Sequence, residues 1–232
     1  MLDAHVIKRR AEFTVEARIR LAAGERLALF GASGAGKSTI LSCIAGLETP
    51  DGGEIHCAGA TLFPPPMPLH MRRFAYLAQQ DLLFPHLTVA QNVMFGVADR
   101  NGRTPVRWIE ELRERLNLDA VWNVSARAVS GGQARRVALA RMLAREPQLV
   151  LLDEPFTALD RPLIADLVGA LDEWQSRLKF ALIVVDHRPE LLARLCSRAV
   201  VIERGRIVQT GAWPELAAAP ATVLTARLLG DD

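Results

Sequence analysis

The feature that most constrains the fold is a glycine-rich run that follows a short apolar segment. Residues 31–39 fit the pattern G-x-x-x-x-G-K-[ST], and they are Gly31, Ala32, Ser33, Gly34, Ala35, Gly36, Lys37, Ser38 and Thr39. Glycines let backbone N–H groups turn toward phosphate oxygens, and the start of the following helix adds its positive end. Lys37 is placed to reach the β- and γ-phosphates, and the Ser38 hydroxyl to bind Mg²⁺. This phosphate loop therefore predicts a nucleoside triphosphate site between a strand and a helix.

Short apolar runs elsewhere predict the sheet that carries the phosphate loop. Alternation of apolar and polar residues over 13–21 predicts a half-buried strand. Residues 200–208 fit two strands around a turn at Arg204-Gly205. Four continuous apolar runs are typical of buried strands in a mostly parallel sheet, and they lie at 26–30, 74–78, 149–152 and 181–185.

The segment 81–146 has a different pattern, because its apolar residues recur at helical spacing. Val106, Ile109, Leu112 and Leu116 lie on one helical face, and the Ala-, Arg- and Leu-rich run 133–145 also predicts a helix. A loop is expected at 99–104. We therefore expect an α/β core with a helical insert.

Two carboxylates, Asp153 and Glu154, end the apolar run 149–152. Asp153 is placed to hold Mg²⁺ through water, and Glu154 to polarise or deprotonate an attacking water. An acidic pair after a strand is usually just a solvated strand end. Downstream of a phosphate loop, the pair instead predicts the edge at which a nucleotide is hydrolysed.

A second turn with anion-binding chemistry precedes the helix predicted to start near residue 134. Its residues, here called the Ser-Gly-Gly turn, are Ser130, Gly131, Gly132 and Gln133. A hydroxyl and glycine N–H groups at a helix start can bind an anion, although the same residues can also form a simple N-cap.

Together these motifs resemble the ABC ATPase family, and the resemblance covers nearly the whole chain. Residues 129–133 resemble its Leu-Ser-Gly-Gly-Gln signature, with Val129 in place of leucine. The resemblance implies an α/β P-loop NTPase fold with a RecA-like core, a helical insert and ABC ATPase architecture. It implies a single domain over 1–232, whose parts are the core at 1–80 and 147–212, the insert at 81–146 and a C-terminal helix at 213–232.

Three further residues acquire roles through this resemblance. Gln79 resembles the Q-loop glutamine, which is implied to sense Mg²⁺ and water. His187 resembles the switch histidine, implied to contact the γ-phosphate, and Asp160 ends a segment similar to the D-loop. Gln79, His187 and Glu154 are thus the expected catalytic residues, and Ser38, Gln79 and Asp153 the expected metal ligands.

The family resemblance also implies a head-to-tail homodimer. Each ATP is then expected between the phosphate loop of one subunit and the Ser-Gly-Gly turn of the other, with Mg²⁺ as cofactor. Asp186 departs from the family pattern, which usually has Ser or Thr before the histidine, and it predicts an added negative charge near the γ-phosphate. Phe13 fits either an adenine-stacking position or simple core packing.

Composition and local sequence similarity limit the classes of partner that the chain is expected to bind. The net charge of +2 gives no electrostatic case for nucleic acid. No apolar stretch approaches the ~20 residues of a spanning helix, so we expect a cytoplasmic chain that partners would tether if it works at a membrane. The family resemblance then implies a peripheral position on the cytoplasmic side of the inner membrane. Residues 69–73 and 83–89 resemble importer ATPases, which implies integral membrane permease subunits and an extracytoplasmic substrate-binding protein. Molybdate is the predicted cargo, with thiamine or iron import, an exporter ATPase and a soluble ABC protein as alternatives.

Overall fold

The computed structural model describes residues 1–95, 97 and 106–230, so the loop expected at 99–104 lies outside the described residues. Within that part of the chain, ten strands form one sheet. In chain order they are β1 (Leu2–Arg9), β2 (Thr14–Leu21), β3 (Arg26–Phe30), β4 (Gly52–Cys57), β5 (Ala60–Phe63), β6 (Phe74–Leu77), β7 (Leu149–Asp153), β8 (Ala181–Val185), β9 (Arg198–Glu203) and β10 (Arg206–Ala212). The spatial order is β5-β4-β1-β2-β10-β9-β3-β8-β7-β6.

The parallel half of this sheet confirms the strands predicted from continuous apolar runs. Strands β9, β3, β8, β7 and β6 are neighbours and run parallel. Successive residues of β7 and β8 belong alternately to two apolar clusters, one on each face of the sheet. Both faces are covered, which is why these strands are apolar at nearly every position.

The other half is antiparallel, and the sequence patterns predicted it only in part. The alternating strand β2 and the pair β9–β10 were expected, whereas β1, β4 and β5 were not. In β4, two of the six residues are glycine, and only Ile55 and Cys57 are buried. So sparse an apolar signal is too weak to distinguish a short strand from a loop.

Helices cover both faces of the sheet in the described ranges. They are α1 (Lys37–Ala45), α2 (Val89–Met94), α3 (Val106–Arg115), α4 (Gly131–Leu143), α5 (Arg161–Leu178), α6 (Pro189–Leu195), α7 (Trp213–Ala218) and α8 (Val223–Leu229). Helices α2, α3 and α4 lie between β6 and β7 in the chain, as predicted for the segment 81–146.

The C-terminal segment corrects one prediction, because a single helix over 213–232 is wrong. Helix α7 ends before Ala219, and α8 begins after Thr222, whose hydroxyl accepts a hydrogen bond from the backbone N–H of Thr225 at 3.0 Å. Pro220 lies between the two helices, and proline cannot donate the backbone hydrogen bond that a continuous helix requires.

Candidate nucleotide site

The phosphate loop lies between β3 and α1, as its sequence predicts. Gly36 is the N-cap of α1 with a φ of +103°, and no side chain caps this helix. The first-turn N–H groups of α1 are therefore presented by the loop without competition from a capping side chain. Gly31 also requires glycine, since a Cβ there would lie 2.2 Å from the carbonyl oxygen of Ile202.

Lys37 supplies the cation of the phosphate loop. Its Nζ donates hydrogen bonds to the carbonyl oxygens of Gly31 at 2.8 Å and Ala32 at 2.7 Å. Burial lowers the pKa of the Lys37 ammonium, and the negative charges of Asp153 and Glu154 oppose that shift. The ammonium is thus held where it can exchange carbonyl partners for phosphate oxygens.

The end of β7 places the two predicted carboxylates in different surroundings. Asp153 is 3% exposed and accepts a hydrogen bond from the Tyr76 hydroxyl at 3.4 Å. Burial raises the pKa of Asp153, with the Ser38 hydroxyl acting in the opposite direction. Glu154 is half-buried, and its backbone has a φ of +48°, a conformation that costs a non-glycine residue energy.

Gln79 and Glu154 are brought together although they are distant in sequence. The Gln79 Nε2 donates to Glu154 Oε2 at 3.3 Å. The amide therefore orients the carboxylate that was predicted to activate water.

His187 and Glu154 line the same cleft, and the His187 side chain is 70% exposed. The residues on either side of it form an ion pair: the Arg188 guanidinium donates to both oxygens of Asp186 at 2.9 Å each. The Asp186 side chain is fully buried. The negative charge that the sequence predicted near the γ-phosphate is therefore paired with a positive one.

A cleft of about 450 Å³ unites most of the predicted site. Gln79, Glu154 and His187 line it together with residues of the phosphate loop. Four residues outside the predicted set also line it: Arg10, Phe13, Val185 and Asp186. Phe13 is half-buried against the apolar cluster of β2 while it borders the cleft, so the two alternatives for this residue are compatible.

The Ser-Gly-Gly turn and Asp160 do not line this cleft. Ser130 and Gln133 cap the start of α4 reciprocally: each side chain accepts a hydrogen bond from the other's backbone N–H, at 3.3 and 2.8 Å. Asp160 caps α5 by accepting from the N–H of Leu163 at 2.9 Å. Ser130 and Asp160 are exposed, which leaves both accessible to another molecule.

The residues present fit Mg²⁺ bound together with a phosphate ligand. Within the described residues, no group of three or more His, Cys, Asp or Glu side chains is placed to hold a metal ion. Mg²⁺ in such sites takes one or two protein oxygens and completes its shell with substrate phosphates and water. The Ser38 hydroxyl and the buried Asp153 carboxylate, which lie within hydrogen-bonding reach of each other, supply such oxygens.

Arg135 is the residue that the sequence reasoning missed. It is 2% exposed and reaches both the end of β7 and the segment that carries Gln79. Its spacing in an Ala- and Leu-rich helix indicates burial, because Arg135 shares a helical face with Ala138, Leu139 and Met142, which are buried. A cation on a buried face needs partners, so that placement could have identified it.

The helices in the described part of the chain lack the length and apolar character needed to cross a membrane.

Comparison with known proteins gives one family and many relatives. Residues 16–157 match the ABC transporter family. The Fe(3+) ions import ATP-binding protein FbpC 3 of Rhodococcus jostii is 44% identical over 211 residues, which cover 90% of this chain and 60% of that protein. The Fe(3+) ions import ATP-binding protein FbpC of Serratia marcescens is 41% identical over 219 residues, covering 92% and 62%. The chain thus spans about three fifths of the length of these relatives.

Solved structures agree with the fold. The dimeric ATP-binding cassette MJ0796, in a post-hydrolysis state bound to ADP and Pi, superposes with a TM-score of 0.81 at 25% identity. The match covers 91% of this chain and 98% of that one. A second dimeric structure of the same cassette, described as a bacterial ABC transporter cassette, matches equally well.

Proposed function

This chain belongs to the ABC transporter family, and from that premise we propose that it binds and hydrolyses ATP to drive import through separate membrane subunits. The observation that carries the proposal is the cleft that Gln79, Glu154 and His187 line together with Lys37 and most of the phosphate loop. An ordinary glycine turn before a helix would not gather a cation, a carboxylate, an amide and an imidazole around one opening.

Different residues of the chain carry out different parts of ATP binding and hydrolysis. The backbone N–H groups of α1 and the Lys37 ammonium bind the phosphates and stabilise charge on the transferring phosphoryl group. Glu154 accepts a proton from the attacking water, and Gln79 holds its carboxylate in place. The exposed imidazole of His187 is free to contact the γ-phosphate. Ser38 and Asp153 would hold Mg²⁺, which would supply positive charge to neutralise the phosphates.

We place the second half of each site on another copy of the chain. The Ser-Gly-Gly turn has anion-binding residues but lies outside the cleft, and its Ser130 is exposed. In a head-to-tail homodimer, the turn and Asp160 of one subunit would cover the nucleotide in the other. The dimeric state of the cassette MJ0796 supports this arrangement.

Replacing Lys37 with Ala tests the assignment of ATP hydrolysis. Removing this cation is expected to lower the rate by about 10²-fold or more, because such contacts stabilise the transferring phosphoryl group. The matched control is Lys8→Ala, since Lys8 binds Thr49 and Asp51 outside the cleft. A purified Lys37→Ala protein that hydrolyses ATP as fast as the Lys8→Ala control would contradict the proposal.

The cargo proposed for the transporter is ferric iron. Fe(3+) import ATP-binding proteins from three genera are 40–44% identical to this chain, whereas molybdate, predicted from sequence, finds no support among them. Cells that lack the chain should lose ATP-dependent uptake of radioactive iron and keep molybdate uptake. The opposite pattern would contradict the proposed cargo. Import of this kind would also involve an extracytoplasmic substrate-binding protein.

An apolar groove of about 520 Å³ is the proposed docking surface for the membrane subunits. Leu47, Leu69, Leu82 and Phe95, each more than half exposed, line it beside Phe84. Arg141 and Arg145 also line it. We therefore assign it to a short amphipathic helix of a permease that carries acidic residues, with the chain held peripherally at the cytoplasmic side of the membrane.

Phe84→Asp tests the groove. Phe84 packs against Phe95 with ring centroids 4.2 Å apart, and a carboxylate there would remove this contact and the apolar wall. The permease should then fail to copurify, while ATP hydrolysis by the isolated chain persists. Val223→Asp is the control, because Val223 is 73% exposed on α8, outside the groove. Equal recovery of the permease with both variants would place docking elsewhere.

A further inference from the structure

Arg135 is a buried cation whose contacts join three parts of the molecule. It lies in the first half of α4, two residues after the Ser-Gly-Gly turn, and is 2% exposed. Given the proposed ATPase function, we infer that Arg135 is a positioning residue, which fixes Glu154 and the Gln79 segment relative to the Ser-Gly-Gly turn. Arg135 does not line the nucleotide cleft, so its effect on hydrolysis is exerted through Glu154 and Gln79.

The first set of contacts holds the chain at the catalytic end of β7. The Arg135 guanidinium donates to the carbonyl oxygens of Asp153 at 2.8 Å, Glu154 at 2.6 Å and Pro155 at 3.1 Å. These three carbonyls follow one another where Glu154 has its positive φ. A backbone in an unfavourable conformation persists only where its surroundings hold it, and Arg135 supplies that restraint.

The second set holds the segment that carries Gln79. The guanidinium donates to the carbonyl oxygen of Ala78 at 2.6 Å and to Asp81 Oδ1 at 3.0 Å. Ala78 directly precedes Gln79, and Gln79 in turn donates to the Glu154 carboxylate. Arg135 therefore fixes the backbone on both sides of the Gln79–Glu154 hydrogen bond.

The number and geometry of these hydrogen bonds show that Arg135 restrains the backbone around it and does not merely fill space in the protein interior. A buried guanidinium is costly unless its donors are satisfied, and here five acceptors surround it with a single carboxylate among them. Its planar fork of donors fixes direction as well as distance, which a lysine ammonium cannot do. Apolar packing alone would not require a charged group at this position.

The consequence concerns communication between the two sites of the proposed dimer. The Ser-Gly-Gly turn forms the start of the helix that carries Arg135. When the turn covers the nucleotide bound by the other subunit, a displacement of α4 would reach Glu154 and Gln79 of its own chain through Arg135. Each subunit would thus adjust its own water-activating group in response to the other's ATP.

Arg141 provides a matched control on the same helix. It donates to the carbonyl oxygens of Leu82 at 2.9 Å and Asp81 at 3.1 Å and lies over the Phe84 ring. Its hydrogen bonds in the described structure go to the segment after Gln79 and not to the end of β7. Comparing Arg135→Gln with Arg141→Gln therefore separates the restraint of Glu154 from the general anchoring of that segment by α4.

The experiment measures steady-state ATP hydrolysis and thermal unfolding of the full chain. Arg135→Gln should lower kcat by about 10²-fold, the cost of misplacing a catalytic group by about 1 Å, with little change in KM for ATP. This assay contains no permease, so the docking groove that Arg141 lines has no part in it, and Arg141→Gln should retain a kcat within a few-fold of the parent. In a double-mutant cycle, Arg135→Gln and Gln79→Ala should be non-additive, since both act on Glu154.

Other outcomes would overturn the inference. Equal kcat for the two arginine variants, or additive effects with Gln79→Ala, would reduce Arg135 to a structural residue. If Arg135→Gln does not fold, Arg135→Lys, which keeps the charge but loses the fork, is judged by the same criteria. A parent chain without ATPase activity would refute the proposed function, whereas an active parent matched by active Arg135 variants would refute only this inference.

Discussion

Two glycine-containing turns at helix starts, the phosphate loop and the Ser-Gly-Gly turn, differ in how their helices are capped. Helix α1 has no side-chain cap, whereas Ser130 and Gln133 cap α4 reciprocally. The phosphate loop also contains Lys37, whose ammonium lies near the carboxylates of Asp153 and Glu154. The phosphate loop thus leaves the first-turn N–H groups of α1 without a capping side chain, whereas the Ser-Gly-Gly turn is already capped and lies outside the cleft.

The largest effect is expected from Glu154→Gln, which tests the cleft. Glutamine has nearly the same shape but cannot accept a proton, so kcat should fall by about 10²–10⁴-fold, the usual contribution of a general base. ATP binding should persist, because the phosphate contacts are unchanged. The loss of one negative charge beside the triphosphate should also favour the closed dimer, seen as an ATP-dependent increase in mass by light scattering.

Parental turnover in Glu154→Gln would show that another group activates water. A variant that binds ATP but stays monomeric would remove the support for a dimer formed by this chain alone, and the Ser-Gly-Gly turn would then be only an N-cap.

Ser130→Arg on the Glu154→Gln background tests the second region. The larger, charged side chain should fill the surface that faces the other subunit's nucleotide and abolish the ATP-dependent dimer. The ATP affinity of the monomer should stay unchanged, because Ser130 does not line its own cleft. Ser176→Arg is the control, since Ser176 is exposed at the opposite end of α5 from Asp160. Weaker ATP binding by the Ser130→Arg monomer would contradict the separation of the two regions.

Arg188→Gln tests the ion pair between Asp186 and Arg188 at the edge of the cleft. The change leaves the fully buried Asp186 without its cation, so the free energy of unfolding should drop by roughly 2–3 kcal/mol, less than for a wholly buried pair because Arg188 is partly exposed. Chemical denaturation measures this loss. The double variant Asp186→Ser/Arg188→Gln should recover part of it, and a double variant as unstable as the single one would show that the pair is not the cause.

The smallest effect is expected from Asp153→Asn, measured without nucleotide or metal. Burial raises the pKa of Asp153 above its ordinary value of 3.8, so the folded chain binds the proton more tightly than the unfolded chain. The carboxylate therefore destabilises the fold at neutral pH, and this burden disappears as the pH falls below the unfolded pKa. Asp153→Asn should raise Tm slightly at pH 7, with the gain shrinking toward acidic pH. A gain independent of pH would exclude this cause.

Much of the parallel half of the sheet could be predicted, because each strand there is a continuous apolar run. Helix α3 was predicted because its apolar residues recur at helical spacing, and Ile109 and Leu112 do lie on its buried face. The antiparallel strand β4 was missed, since two of its residues are glycine and little of it is buried. Pro220 could have excluded one long C-terminal helix, because proline lacks the backbone N–H that a continuous helix requires.

The candidate site divides in the same way. The phosphate loop and the acidic end of β7 are contiguous in sequence, and their residue types suffice to predict phosphate and metal chemistry. The roles of Gln79 and His187 came from family resemblance, since either alone is an ordinary polar residue. The helical periodicity of α4 could have identified Arg135 as a buried cation. No motif or local pattern predicts which five acceptors its guanidinium binds.

The sequence by itself determined the local elements: the loop that turns N–H groups inward, the strand that ends in two carboxylates, and the helix capped by Ser130 and Gln133. The tertiary structure decided which of them meet. It placed Gln79 against Glu154, 75 residues away, and left the Ser-Gly-Gly turn outside the cleft. Local patterns encode backbone conformation through neighbouring side chains, whereas contacts between distant residues depend on how the whole sheet and its helices pack.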